Sequence, residues 1–327
     1  MTSNVTTPLT EMWFASGERL GYDPQNRTID PAASQKVFIR LDGDVKHAVT
    51  FLPGYPDGSI GWARVLPYLP DAATMPKLFV EYLGMGDSDK PRDYAYSTAE
   101  RTDLVEAIWR HFGVVSTTLI AFDFGSLVVL EHLARRLEQR STGPAIRGVF
   151  IFNGGLFTDG HSHPWFTTPV LRRMPVNLIP QLAKPPLDTF KLTARVMWSK
   201  HYSAWEDDAR DLYNAMSRHD GLFFLYRAAG FVSEHRAQGS RLDFGRIYNA
   251  YRGEIPFFVG GSDEDPFEHR QVTLAQERLD AQGLTIAHLP GGHLTTNEQP
   301  QALARLIEGF YDATARNKLP TQSRSTA

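Results

Sequence analysis

The chain has no cysteine in 327 residues, which excludes disulfides, a thiolate nucleophile and cysteine-ligated zinc. An excess of either charge is lacking too. A formal net charge of -3 and a pI near 6.4 leave no basic footprint for nucleic acid. No apolar run is long enough to cross a bilayer. The opening "MTSNVTTPLTEMW" lacks the charged-then-apolar order of a secretory signal, so a cytoplasmic location is expected. There is no internal repeat and no phosphate-cradling glycine loop of the P-loop type. What these absences leave is a small-molecule partner with no metal or cofactor, and no nucleic acid or membrane; a homodimer is allowed.

What is present is a chain that is 42% hydrophobic and long enough to bury a large core. The segments "KVFIRLDG", "HAVTFLPG", "PKLFVEYLGMG", "STTLIAFDFG" and "IRGVFIFNGG" are short and apolar, and each ends in glycine. Helical patterns separate them. This alternation predicts a mostly parallel sheet with helices on both faces, with functional loops collected at the C-terminal ends of its strands. After Phe157 the regularity stops, and roughly ninety residues rich in aromatics pass before the strand "IPFFVGG". The expected organisation is therefore a discontinuous core of residues 1–156 and 251–327 around an inserted helical cap at 157–250, with "RNKLPTQSRSTA" as a frayed tail.

One turn carries the chemistry. Ala121-Phe122-Asp123-Phe124-Gly125 places small residues on either side of a central side chain, between a strand and a helix. This is the spacing of a nucleophile elbow, in which the turn tightens until the central residue projects from the sheet and the next backbone N–H points back as an oxyanion donor. Two other readings compete: Asp123 as an ordinary helix N-cap, and Ser126 as the nucleophile, although it falls too late for the elbow.

Other segments bear on the choice. "FLPGYP" is a strand followed by a Gly-Pro turn, whose Tyr55 N–H would complete an oxyanion hole with that of Phe124. "IPFFVGGSDEDPF" ends a strand in a carboxylate, and "LPGGHLTTNEQP" ends the next one in His293. Nucleophile, acid and histidine thus follow in the chain order of the α/β-hydrolase triad. Asp263 and Asp265 compete as the acid; Asp265 is preferred, because it precedes Pro266 just beyond the strand. His288 falls inside a strand pattern, and His161 and His163 lack metal-ligand companions at helical spacing.

These motifs resemble the α/β-hydrolase superfamily, in particular its epoxide hydrolase and haloalkane dehalogenase branch, whose nucleophile is aspartate. "YLGMGDSDKPRDYAYS" resembles the "GMGxSDKP" segment of that branch, while "FNGGLF", "HDGLFFLYRAAGFVSEHR" and "IPFFVGGSDEDP" are similar to the mesoderm-specific transcript subgroup. The resemblance covers nearly the whole chain and implies an α/β-hydrolase fold with a helical cap. Two positions depart from it: the histidine usual in "HGxP" is Pro53, and the usual "HDWG" is "FDFG".

The second departure bears on substrate. The tryptophan that dehalogenases place beside the nucleophile donates to the leaving halide, and Phe124 cannot. Epoxide opening needs a proton donor instead, and Tyr226 in "LYRAA" resembles the family's "WYRAN" tyrosine, which implies that role. Tyr202 is a second cap tyrosine, expected with Trp165 to contact substrate. The expected function is therefore epoxide hydrolysis through an ester on Asp123. The alternatives are dehalogenation with cap donors such as Trp165, Trp198 or Trp205, and a non-catalytic binding protein on the same fold.

Overall fold

The computed structural model describes residues 8–141, 143–162, 185–222 and 230–316. Its frame is a nine-stranded sheet in the order β2-β1-β3-β5-β4-β6-β7-β8-β9. These strands are Glu18–Asp23 (β1), Thr28–Ile29 (β2), Gln35–Asp42 (β3), Val49–Leu52 (β4), Lys77–Val80 (β5), Ser116–Phe122 (β6), Ala145–Phe152 (β7), Phe257–Ser262 (β8) and Leu284–Leu289 (β9). From β5 through β4, β6, β7 and β8 to β9 every pairing is parallel. The first three strands are antiparallel, and β1 and β2, polar on one side, carry no apolar run that would announce them.

β6 is the inverse case. Its whole span, "STTLIAF", is buried, as expected of a central parallel strand covered on both faces, which reads as a continuous run and not as an alternation. It delivers the chain to the elbow.

The helices are Pro8–Ala15 (α1), Thr98–His111 (α2), Gly125–Leu137 (α3), Leu187–Ala194 (α4), Trp205–Ser217 (α5), Phe231–Ala237 (α6), Phe244–Tyr251 (α7), Gln271–Arg278 (α8), Thr295–Glu298 (α9) and Pro300–Arg316 (α10). α2 starts at a full capping box: Ser97 Oγ accepts from the Glu100 N–H, and the Glu100 carboxylate accepts from the Ser97 N–H at 2.9 Å. Two of the helix's orphan donors are satisfied in this way. α2, α3, α7 and α8 cover one face of the sheet through Leu104, Ile108, Leu130, Phe244 and Leu274. α1 and α10 lie in the cluster on the other face with Phe51, Phe150 and Phe258, and α4 and α5 join that cluster. The last helix before residue 251, α7, packs its Phe244 ring on Phe257 of β8, with centroids 5.9 Å apart. No helix among the described residues is long and apolar enough to cross a membrane.

Candidate active site

The turn after β6 is sterically forced. Asp123 adopts φ +45°, a left-handed conformation that is costly for a non-glycine residue and persists where the surroundings over-determine it. Those surroundings are tight. A Cβ on Gly125 would lie 2.7 Å from the Leu52 carbonyl, and one on Gly54 would lie 2.9 Å from Asp123 Cβ. The glycines of "FLPG" and "FDFG" therefore let the β4 and β6 loops touch, and the nucleophile position is built at that contact.

Asp123 is 3% exposed. Its Oδ2 accepts from the Tyr55 N–H at 2.8 Å, and the Phe124 N–H also donates to the carboxylate. The two backbone donors expected of an oxyanion hole are thus both trained on this side chain. Its other oxygen, Oδ1, lies 3.6 Å from His293 Nε2. The N-cap reading does not describe this arrangement: α3 has no side-chain cap. Ser126 is fully buried and donates to the Asp123 carbonyl at 2.6 Å, so its hydroxyl is turned back into the helix start.

His293 Nδ1 meets Asp265 Oδ2 at 3.0 Å, and Asp265 Oδ1 accepts from the Phe267 N–H at 2.8 Å. Both residues are buried. The rings of Phe122 and Phe267 lie 5.5 and 4.9 Å from the imidazole and hold its plane. Asp263 lies elsewhere, exposed and paired loosely with His288 at 3.6 Å. His161 binds Glu268 at 2.8 Å and His235 at 2.8 Å, a buried polar chain whose Glu268 charge reaches Asp123. Among the described residues no three His, Asp or Glu side chains are grouped as a metal would require.

The electrostatics follow from the burial. Desolvation raises the Asp123 carboxyl above its ordinary value, although His293 and the two N–H groups oppose it. For His293 burial alone would lower the pKa, but Asp265, Asp123 and Asp57 together outweigh it and raise the imidazole to about 9. The acids around His293 thus favour its protonated form in the resting site.

Two participants have no assigned role in the sequence reading. Asn153, at the end of β7 with φ +48°, donates through Nδ2 to the His293 carbonyl and to Ser262 Oγ, each at 2.7 Å. Its Oδ1 accepts from the Ser262 N–H at 2.8 Å, so one side chain ties the ends of β7 and β8 to the histidine loop. Its position in "FNGG" was the available signal, since asparagine tolerates the left-handed conformation. Asp57 is the other. It is buried, and its Oδ1 has no hydrogen-bond donor among the described residues. Burial and the charge of Asp123 raise its carboxyl to about 7. It follows directly on "FLPGYP", but nothing in that pattern marks it as buried.

The cap candidates divide. Tyr226, Trp165 and His163 lie outside the described residues. Tyr202 is half-buried; its hydroxyl donates to Asp208 at 2.6 Å and lies 3.3 Å from the Asn297 carbonyl, which turns its proton away from Asp123. Trp205 packs beside Trp198 with ring centroids 6.5 Å apart. Trp198 is buried, with its indole N–H facing no acceptor among the described residues. The Trp198 backbone abuts Gly292, where a Cβ would lie 2.6 Å from it.

Comparison with known proteins agrees with this architecture. A model of the alpha/beta hydrolase family matches residues 51–306. LipZ of Mycobacterium tuberculosis, whose name describes a hydrolase, is 33% identical over 155 residues, which is 47% of this chain and 49% of that protein. The mesoderm-specific transcript homolog protein of Bos taurus is 35% identical over 115 residues, covering 35% of this chain and 34% of the relative. The chain thus matches about half the length, or less, of these curated relatives. Among solved structures, the epoxide hydrolase CorEH superposes with a TM-score of 0.63 at 17% identity, covering 91% of this chain and 98% of that one. The haloalkane dehalogenase DatA from Agrobacterium tumefaciens gives 0.67 at 17% identity, covering 91% and 96%. At such identities the likeness is one of fold.

Proposed function

Because the chain belongs to the alpha/beta hydrolase family, we propose that it hydrolyses epoxides to vicinal diols through an ester formed on Asp123. The observation that carries this reading is the position of the Asp123 carboxylate: Oδ2 held by the Tyr55 N–H, Oδ1 directed toward His293, and the Phe124 N–H donating to the same carboxylate. A carboxylate so placed can attack carbon with its free oxygen and keep its held oxygen as the future ester carbonyl.

In the first step Asp123 Oδ1 attacks an oxirane carbon, the C–O bond of the ring breaks, and the departing oxygen takes a proton. Tyr226 is the proposed donor. Tyr202 is the poorer one, because burial and the adjacent Asp208 carboxylate push its hydroxyl well above the usual phenol range. Ester formation removes the negative charge of Asp123, one of the charges that hold His293 protonated. The imidazolium then gives up its proton, replacing the one spent on the substrate. Attack thus switches His293 into the neutral base that the second step needs.

In that step His293, oriented by Asp265, takes a proton from water while the water oxygen attacks the ester carbonyl. The tetrahedral oxyanion forms at Oδ2, which the Tyr55 N–H already holds, with the Phe124 N–H as the proposed second donor. Collapse breaks the Cγ–Oδ1 bond of Asp123, Oδ1 leaves on the substrate carbon and takes the proton of the newly formed carboxyl, and the diol departs with His293 protonated again. The domain reading assigns 157–250 to a cap over this site.

A second reading is dehalogenation, favoured by one observation: the unpartnered Trp198 indole N–H, a donor suited to a leaving halide. The His293→Gln variant separates the two. It should still be alkylated but should fail to hydrolyse the ester, so the adduct accumulates. Mass spectrometry of the Asp123 peptide should find the whole mass of the epoxide added, since no atom leaves. A haloalkane would add its alkyl group alone. No adduct from any epoxide, with the fold intact, contradicts the proposal.

A further inference from the structure

Behind Phe124 lies a group that the proposed chemistry does not use. Arg101, in the first turns of α2, is 1% exposed, and its Nε, Nη1 and Nη2 have no hydrogen-bond partner among the described residues. Its guanidinium carbon sits 4.2 Å from the centroid of the Phe124 ring and 5.8 Å from that of Tyr82. The hydroxyls of Tyr82 and Tyr94 are also buried and without a partner among the described residues. A guanidinium brings five N–H donors, so the cluster gathers one full positive charge and seven donors.

The nearby acids bond to other groups and none among the described residues hydrogen-bonds the guanidinium, although the charge of Glu234 reaches Arg101. Glu234 accepts from the backbone N–H and the hydroxyl of Thr98 at 2.9 and 2.8 Å. Glu100 closes the capping box, and Asp103 pairs with Arg135 at 2.7 Å and Arg27 at 3.3 Å. Stacking on two aromatic rings recovers only a fraction of the cost of desolvating a cation. A water could accept from some of these donors, but it brings no charge. An anion answers both needs.

The cluster also adjoins the nucleophile. Phe124, whose ring the guanidinium covers, donates its N–H to Asp123. The rings of Phe124 and Tyr55 both pack on Phe231, at 5.2 and 5.8 Å. Among the charges felt by the Tyr82 and Tyr55 hydroxyls are both Arg101 and Asp123, so these groups stand within electrostatic reach of both. The planar guanidinium fork matches a carboxylate in shape.

We propose that Arg101, with the Tyr82 and Tyr94 hydroxyls, forms an anion subsite that binds a carboxylate on the substrate, so that the preferred substrate is an epoxide bearing a carboxylic acid. The substrate class rests on the ester-forming reading of Asp123; the anion subsite itself does not. The Phe124 ring stands between the two carboxylates and keeps substrate and nucleophile from repelling each other directly.

Two measurements on the full chain test this. In the first, thermal unfolding is followed with straight-chain carboxylates from acetate to decanoate, with the matching neutral amides, and with chloride, sulfate and phosphate at equal ionic strength. A carboxylate should raise the wild-type Tm while its amide does not. Arg101→Met should unfold at or above the wild-type temperature without ligand, because it removes a buried unpaired charge, and should show no carboxylate shift. Arg101→Lys, which keeps the charge, should retain a reduced shift and decides the matter if the Met variant does not fold. No carboxylate shift in the wild type, an undiminished shift in Arg101→Met, or a shift from inorganic anions only would each overturn the subsite.

In the second, the Asp123 adduct is timed in His293→Gln with an epoxy acid and with its methyl ester. The acid should react about 10- to 100-fold faster at limiting concentration, the scale of a charge-assisted hydrogen bond. Adding Arg101→Met should erase that advantage, so that acid and ester react at the same rate. If the ester alkylates Asp123 and the acid has no advantage, the epoxy-acid assignment falls and the epoxide reading stands. If neither alkylates while carboxylate binding still depends on Arg101, the epoxide reading falls, the epoxy-acid class with it, and the anion subsite stands.

Discussion

On the side of Asp123 that faces His293, each working atom has a protein partner. Asp265 uses one oxygen on His293 and the other on Phe267, and Asn153 holds the histidine loop from below. On the opposite side, around Phe124 and Tyr55, the polar side-chain atoms of Arg101, Tyr82 and Tyr94 have no partner among the described residues. Both sides are equally dry, so exposure does not explain the contrast. The difference separates machinery whose geometry must be fixed before the substrate arrives from groups whose bonding is left for something else to complete. Unsatisfied buried groups are costly, and on the proposed reading their concentration beside Asp123 marks the substrate-facing half of the site.

That contrast breaks most sharply at the nucleophile. Asp123→Asn keeps the shape but removes the attacking charge, and turnover should fall by about 10⁴-fold or more with the circular dichroism spectrum unchanged. Near-normal turnover, in protein shown by mass to remain amidated, would place the chemistry elsewhere.

Asp265→Asn tests the ordered side next. It should leave alkylation of Asp123 within a few-fold of wild type but slow ester hydrolysis by about 10²- to 10⁴-fold, the range of general base catalysis. Rapid-quench kinetics with an epoxide should then show ester accumulating. Equal slowing of both steps would mean that Asp265 only supports the fold.

Asn153→Ala is expected to act through geometry. Loss of its side chain leaves buried groups in the β8 turn unpaired, at a cost of about 1 to 3 kcal/mol, and loosens the histidine loop. Denaturant titration should show the loss, and the hydrolytic step should slow more than alkylation does.

Asp57→Asn has the smallest effect and reports on charge. The Asp57 carboxyl is raised to about 7 in the fold, so its contribution to stability is present below the unfolded carboxylate value and is lost as pH rises through about 7. His293, raised to about 9, contributes stability below the unfolded imidazole value, which is lost as pH rises through about 9. Asp57→Asn removes the first loss and, by deleting one of the charges that hold His293 protonated, moves the second to lower pH. The Tm measured from acid to alkaline buffers should show both changes; an unshifted alkaline limb would mean that Asp57 does not influence His293.

The ordered side is also the half that was legible in the sequence. The elbow "AFDFG", the acid after β8 and the histidine after β9 depend on short spacings and strand ends, which sequence pattern records directly. β1 and β2 escaped because their residues are mixed and partly exposed. Asn153 could be read as a left-handed turn residue, but its three-way bonding joins segments about a hundred residues apart. Arg101 is hidden for a stronger reason: within "STAERTDLVEAIWRH" it looks like a solvated helix charge, and only the packing of α2 against Phe124 and Tyr82 buries it.

The central claim, an ester on Asp123 hydrolysed at its carboxyl carbon, is tested most directly by a single turnover in heavy-oxygen water, with enzyme in excess over an epoxide. The account predicts that the label enters the Asp123 carboxylate, detected in the peptide that contains it, and that the first diol formed carries ordinary oxygen from the enzyme. Label in the first-turnover diol, with the Asp123 peptide unlabelled, would mean that water attacks the epoxide directly and would contradict the account.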